Sequence, residues 1–202
     1  MEENWKGLLN GHEYVDLGLS VMWATCNVGA DSPEDYGDYY AWGETETKEE
    51  YTEKNCETWG KDIGDDIAGT DRDVAHVRWG SPWRMPTKKE FQELIDNCDW
   101  EWTTLNRVNG RKMTSKKNGN WIFLPAAGCC LWTPPSGAGR FGHFWSSTHG
   151  GGDAWSTCTF DFGCGGYTWN RHVRGFGESV RPVSEFLNGA ILIHLTYFVS
   201  AI

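Results

Sequence analysis

The sequence predicts an α+β fold built on an antiparallel sheet. Three observations lead there: one clear helical pattern in the first half, many short strand-like runs in the second half, and Gly-rich turns between them. The 202 residues include 25 Gly and 13 Trp and are 39% hydrophobic, which suits a loop-rich globular fold with a real core rather than a fibrous or disordered chain. No long polar or Pro/Ser-rich linker divides the chain, so one domain is the simplest reading.

In chain order, residues 1–11 read as an N-terminal arm without the basic start and apolar run of a secretory signal. Glu13 to Asn27 alternates in two short runs around Gly18 and predicts two adjoining strands, and the aromatic segment Asp35 to Glu44 has strand character. Thr45 to Arg72 turns polar and acidic, a long surface excursion. Thr87-Lys88-Lys89-Glu90 is a capping box, after which Phe91, Leu94, Ile95 and Cys98 fall at i, i+3, i+4 and i+7 on one apolar helix face. Trp100–Leu105, Lys112–Ser115 and Trp121–Leu124, separated by Asn109-Gly110 and Asn118-Gly119, read as strands joined by hairpin turns. Later strands are expected at Phe144–Ser147, Ser156–Phe162 and Ser179–Val183.

A net charge of −10 argues against nucleic acid as a partner, because phosphate binding needs clustered Lys and Arg, and every Lys here precedes residue 118. Seven Cys without CxxC spacing argue against a disulfide framework or a zinc ribbon, and free thiols suit assembly in a reducing compartment. The apolar run Ala190–Ile202 is too short, and too polar at His194 and Thr196, to span a bilayer. Residues 184–202 are therefore read as an apolar tail. Such a surface is expected to be buried either in a homo-oligomer or as an extra strand on the domain's own sheet.

Residue usage changes abruptly at Trp121. Lys, Gln, Met and Glu supply 27 of the first 120 residues, whereas the 62 residues from Trp121 to Pro182 contain only Glu178 of these four types. Uniform usage would give about 14. Randomising the adenines of AAC or AAT codons yields small, polar, aromatic and Arg residues, but never Lys, Gln, Met, Glu or Trp. The segment thus reads as a fixed frame, holding Trp132, Trp145, Trp155 and Trp169, that carries positions rewritten from asparagine codons.

Trp79-Gly-Ser-Pro-Trp-Arg-Met-Pro-Thr87, the helix after it, Phe123-Leu-Pro-Ala-Ala-Gly128, Trp145-Ser-Ser-Thr148 and Ser179-Val-Arg-Pro-Val183 occur in an order that resembles the Fibrobacter major paralogous domains of gut Bacteroidetes. Those domains are similar to the formylglycine-generating-enzyme branch of the C-type lectin fold. The resemblance covers roughly residues 12–183. It implies that fold, with a variable region at about 129–179, because the same scaffold serves the variable proteins of diversity-generating retroelements. In that family the diversified side chains form a ligand-binding face on a constant backbone, often in a phage receptor-binding protein or a bacterial surface adhesin. The implied partner is a protein or glycan on a target cell surface, the implied location a virion tail or cell surface, and no cofactor is implied.

The candidate binding residues follow from both lines. In Thr159-Phe160-Asp161-Phe162-Gly163 the period of two puts the two Phe on a core face and Thr159, Asp161 and Gly163 on an exposed one. Gly166, Thr168, Asn170, Arg171, His172, Val173, Gly175 and Phe176 flank Trp169 and extend this set. Arg140, Phe141 and His143, ahead of Trp145, form a second cluster. Trp79, Trp83, Trp121 and Trp145 are expected in the core, with Arg84 and Arg181 bonded to buried acceptors.

Competing chemistries are weaker. Asp62, Asp65, Asp66, Asp71 and Asp73 lack EF-hand spacing and read as a solvated loop rather than a calcium site. Trp169-Asn170-Arg171 has Arg where a calcium-dependent lectin has its Asp ligand. Resemblance to formylglycine-generating enzymes raises a thiol enzyme, yet Cys158 and Cys164 are the only late pair and no group beside them is seen to activate a thiolate. His143, His149 and His172 with Asp153 or Asp161 follow no ligand spacing and read as surface histidines, so neither a catalytic nor a metal site is expected. A purely structural virion or pilus subunit remains the third reading.

Overall fold

In the computed structural model, which describes residues 6–131 and 135–185, the chain opens with a hairpin of Lys6–Leu9 (β1) and His12–Val15 (β2). Its two-residue turn uses Asn10 and Gly11, with φ of 50° and 82°, the twist that antiparallel strands favour. Met22–Ala24 (β3) follows β2, while Trp83–Arg84 (β4) and Val183–Ser184 (β11) close a five-stranded sheet in the order β1-β2-β3-β11-β4. The first described strands and the return at residue 183 thus share one sheet. The expected tail burial and Trp132 lie outside the described residues.

Two helices pack here. Val74–Trp79 (α1) grows out of the acidic run that the sequence assigned to a solvated loop, and the reason is Asp73. This side chain is fully buried and accepts from the N–H groups of Ala75, His76, Gly69 and Met85, so it caps the helix and ties it to the strand beyond. Lys88–Asn97 (α2) begins at the expected capping box: Glu90 N–H donates to Thr87 Oγ1 at 3.2 Å and Thr87 N–H to Glu90 Oε2 at 2.7 Å. Arg84 adds a two-pronged bond to the same carboxylate, at 2.9 and 2.6 Å.

Cys98–Leu105 (β5), Val108–Ser115 (β6) and Trp121–Pro125 (β7) form an antiparallel meander. Its first turn is at Asn106 and Arg107, with φ of 45° and 72°, not at Asn109-Gly110 as the sequence suggested. Gly110 lies within β6, where an added Cβ would meet Leu124 O at 2.4 Å. Close strand approach, not a turn, requires that glycine. Phe141–Trp145 (β8), Ser156–Gly163 (β9) and Gly166–Val173 (β10) make the third sheet, order β10-β9-β8, and β10 is a strand where the sequence showed only flanks of a Trp. Asp35 to Glu44 is mostly irregular, with a single bridge from Tyr40 to Glu178.

Phe91 of α2 joins the three sheets. Its ring centre lies 5.2 Å from Trp23 and 5.0 Å from Phe160, and Phe160 in turn meets Trp100 at 5.6 Å. A second core gathers Tyr40, Trp42, Val74, Trp145 and Val180. Trp83 and Trp145 are fully buried as expected, whereas Trp79 and Trp121 are half-buried: Trp79 stacks on His12 at 3.7 Å and Trp121 lies under Lys112. The architecture is α+β, dominated by antiparallel sheet with two short α-helices among the described residues.

Two outcomes follow. Trp83→Ala removes a fully buried indole whose N–H donates to Leu9 O, and is expected to cost about 3–5 kcal/mol in denaturant unfolding. Burial alone would raise the Glu90 carboxyl, but the bonds from Arg84 and Thr87 hold it below its ordinary value. Its contribution is therefore present above the ordinary carboxylate range and lost as pH falls through the lower folded value. Glu90→Gln should lower stability at neutral pH and flatten the acid limb of a stability-versus-pH curve; an unchanged acid limb would contradict this role.

Candidate functional site

Register decides which side chains of the third sheet meet. β9 is the middle strand, with Phe141 opposite Gly163, His143 opposite Asp161 and Trp145 opposite Thr159 on one side, and Thr168 opposite Asp161 and Asn170 opposite Thr159 on the other. Directly paired residues point to the same face. One face thus carries Phe141, His143, Asp161, Gly163, Thr168, Asn170 and His172, while Phe144, Phe160, Phe162 and Trp169 line the main core.

The expected core face is correct: Phe160 is fully buried and Phe162 nearly so. The expected exposure of Thr159 and Asp161 is not, since Thr159 is fully buried and Asp161 only 6% exposed. The returning segment 174–180 crosses this end of the sheet, bridging Tyr40 to Glu178 and Phe144 to Ser179, and it seals the face over Thr159 and Trp145. Gly175 is buried in the same crossing, against the backbone of Thr52.

At the other end the face opens into a cavity of ≈ 510 Å³ lined by Phe141, His143, Asp161, Gly163, Gly166, Tyr167, Thr168 and Asn170, with Cys164 and Gly165 at the turn. Seven of the expected residues therefore come together. Arg140 is exposed beside them, its guanidinium 5.4 Å from the Phe141 ring centre. Arg171 does not join them. It points to the opposite side of β10 and donates to His149 O at 3.0 Å and Ser156 O at 2.8 Å. Val173 is half-buried at the end of β10, and Phe176 lines a separate cavity of ≈ 640 Å³ with residues 50–55 and Leu131.

Tyr167 is the residue that sequence reasoning missed. The period of two assigns it to the core face, where it does stack on Trp100 at 5.1 Å, but it lies on the edge strand β10 and stays 47% exposed. Its neighbours Gly166 and Thr168 were the available signal. Gly166 itself has φ 140°, so a side chain there would be strained.

Between the two cavities lies a charged cluster that replaces the expected surface histidines. His143 Nδ1 is 2.9 Å from Asp161 Oδ1, and His172 Nε2 is 3.3 Å from Asp161 Oδ2. His172 Nδ1 bonds Glu178, a fully buried carboxylate that also accepts from Thr159 Oγ1 at 2.7 Å. Asn170 Nδ2 donates to Asp161 Oδ2 at 2.6 Å. Burial would lower the His172 imidazole, but its bonds to Asp161 and Glu178 and their charges push it up to about 10. Burial would raise Asp161, yet the two imidazoles hold it well below the ordinary carboxylate range. His149, by contrast, is structural, with Nε2 at 2.8 Å from Asp153 O.

Burial pushes the Cys158 thiol up, while Cys164 is exposed at the turn after β9. Among the described residues, no helix is long and apolar enough to cross a membrane. Comparison with family models, curated proteins and solved structures returned no match to the chain.

The cluster and the open rim should respond differently to substitution. Asp161→Asn leaves His172 facing a weakened partner in a largely buried setting and is expected to cost about 3–5 kcal/mol. Thr168→Ala on the open rim should stay within about 0.5 kcal/mol. Thermal unfolding of the two variants checks the contrast.

Proposed function

We propose that this chain is a ligand- or receptor-binding protein, with a C-type lectin-like fold of the formylglycine-generating-enzyme branch, whose binding face is diversified by adenine-specific retroelement mutagenesis. In that role it serves as a phage receptor-binding protein or a bacterial surface adhesin and performs no catalysis. The supporting observation is where the unreachable residue types fall. Trp145 and Glu178, which rewritten asparagine codons cannot produce, are fully buried, and Trp169 packs against the main core. Phe141, Thr168 and Asn170, which such codons can produce, ring an open cavity. Trp155, 51% exposed, is the exception.

The cavity also suits binding in its chemistry. Phe141 and Tyr167 are among the few large apolar side chains left exposed, and they flank the polar donors and acceptors of Thr168 and Asn170. Central aromatic anchors can each carry about 2 kcal/mol or more of binding energy. A thiol-enzyme reading draws less support, because burial disfavours the Cys158 thiolate.

The test uses labelled protein on a glycan array and on a panel of intact gut bacterial cells. The combined variant Phe141→Ala, Tyr167→Ala and Thr168→Ala should lose retention on whichever target holds the wild type, with little change in melting temperature. Retained binding would move the site elsewhere. The diversification itself predicts, beside a reverse transcriptase gene, a near-copy of the codons for residues 129–183 with adenines at the variable positions. A genome without such a copy overturns it.

A further inference from the structure

The cluster between the cavities has the donor set and spacing of a metal site. His143, Asp161 and His172 each present one ligand atom, and these atoms all lie within 4.8 Å of one another. Ions bound by imidazole and carboxylate at about 2.0–2.2 Å hold neighbouring donors about 3–3.5 Å apart. His143 Nδ1 lies 2.9 Å from Asp161 Oδ1 and His172 Nε2 3.3 Å from Asp161 Oδ2, each close to such an edge with one imidazole at each carboxylate oxygen.

Two further features suit an ion. Glu178 takes the Nδ1 side of His172 and leaves Nε2 directed at Asp161, the carboxylate–histidine arrangement that orients metal-bound imidazoles. His143 Nδ1 is buried and lies 2.9 Å from Asp161 Oδ1 without a well-formed hydrogen bond.

We propose that His143, Asp161 and His172 bind one divalent transition-metal ion of the zinc and cobalt class, with Glu178 as the positioning carboxylate behind His172. Two nitrogens and one carboxylate suit such ions better than calcium or magnesium, which prefer all-oxygen shells. Three protein ligands leave a coordination position open, and the cavity of Phe141, Thr168 and Asn170 adjoins it. A ligand entering that cavity could therefore supply the remaining donor through a carboxylate, hydroxyl or imidazole. The site rests on side-chain geometry alone and stands or falls independently of how the segment's sequence arose.

The full chain, stripped with chelator and dialysed, should take up one equivalent of Zn²⁺ or Co²⁺ in calorimetric titration. Bound Co²⁺ should show visible ligand-field bands without thiolate charge transfer. His143→Asn and His172→Asn should each weaken uptake at least tenfold, and Glu178→Gln by roughly ten- to a hundredfold. If these variants fail to fold, imidazole ¹⁵N shifts of the wild type on adding Zn²⁺ decide the matter: His143 and His172 should move while His12, His76 and His149 do not. No uptake, uptake that survives both histidine substitutions, a thiolate charge-transfer band, or unmoved His143 and His172 resonances would each overturn the proposal.

Discussion

Within residues 174–181 three charged side chains are buried, and each fastens a different part of the chain. Arg174 donates to Thr58 O and Lys61 O with its guanidinium 4.6 Å from the Trp42 ring centre, so it pins the long acidic excursion to the second core. Glu178 accepts from Thr159 and His172 and fixes the third sheet. Arg181 donates to Ala24 O, Thr25 O and Asn27 Oδ1 and binds the first sheet. A buried charge left without its partners is costly, so these positions hold the loops in one arrangement. Short strands and irregular segments supply too few ladder bonds to do this alone.

The same crossing divides the third sheet into two regimes. Over Thr159 and Trp145 the face is sealed, and side chains there are coupled to Glu178 and Tyr40. Beyond Asp161 it opens, and Phe141 and Thr168 meet solvent with few constraints from the frame. Asp161 sits at the boundary, one oxygen shared with Thr159 and His143, the other with Asn170 and His172. A change of side chain at the rim alters what the cavity offers. At Thr159 or Glu178 it alters whether the sheet holds together.

Much of the frame was legible from local rules. The capping box and the Phe91, Leu94, Ile95 face gave α2, the Asn118-Gly119 turn separates β6 from β7, and the bonding of Arg84 and Arg181 to buried acceptors matches expectation. What sequence reading missed depends on contacts distant along the chain. Asp73 caps α1 only because Gly69 and Met85 also converge on it. Thr159 and Asp161 follow the period of two faithfully, yet the polar face they share is covered by a segment about twenty residues later, which no local pattern announces. The histidines lacked ligand spacing because strand register, not sequence distance, brings His143 and His172 to Asp161.

This division of the third sheet makes the cavity rim replaceable and the frame around Glu178 not. Saturation of residues 140–178 with the residue types that rewritten asparagine codons encode, followed by selection for protease-resistant display, measures this position by position. Broad tolerance is expected at Arg140, Phe141, Thr168 and Asn170, and strong restriction at Thr159, Phe160, Phe162, Arg174 and Glu178. Equal tolerance at Thr159 and Thr168, or restriction at the rim as severe as at Phe160, would contradict it.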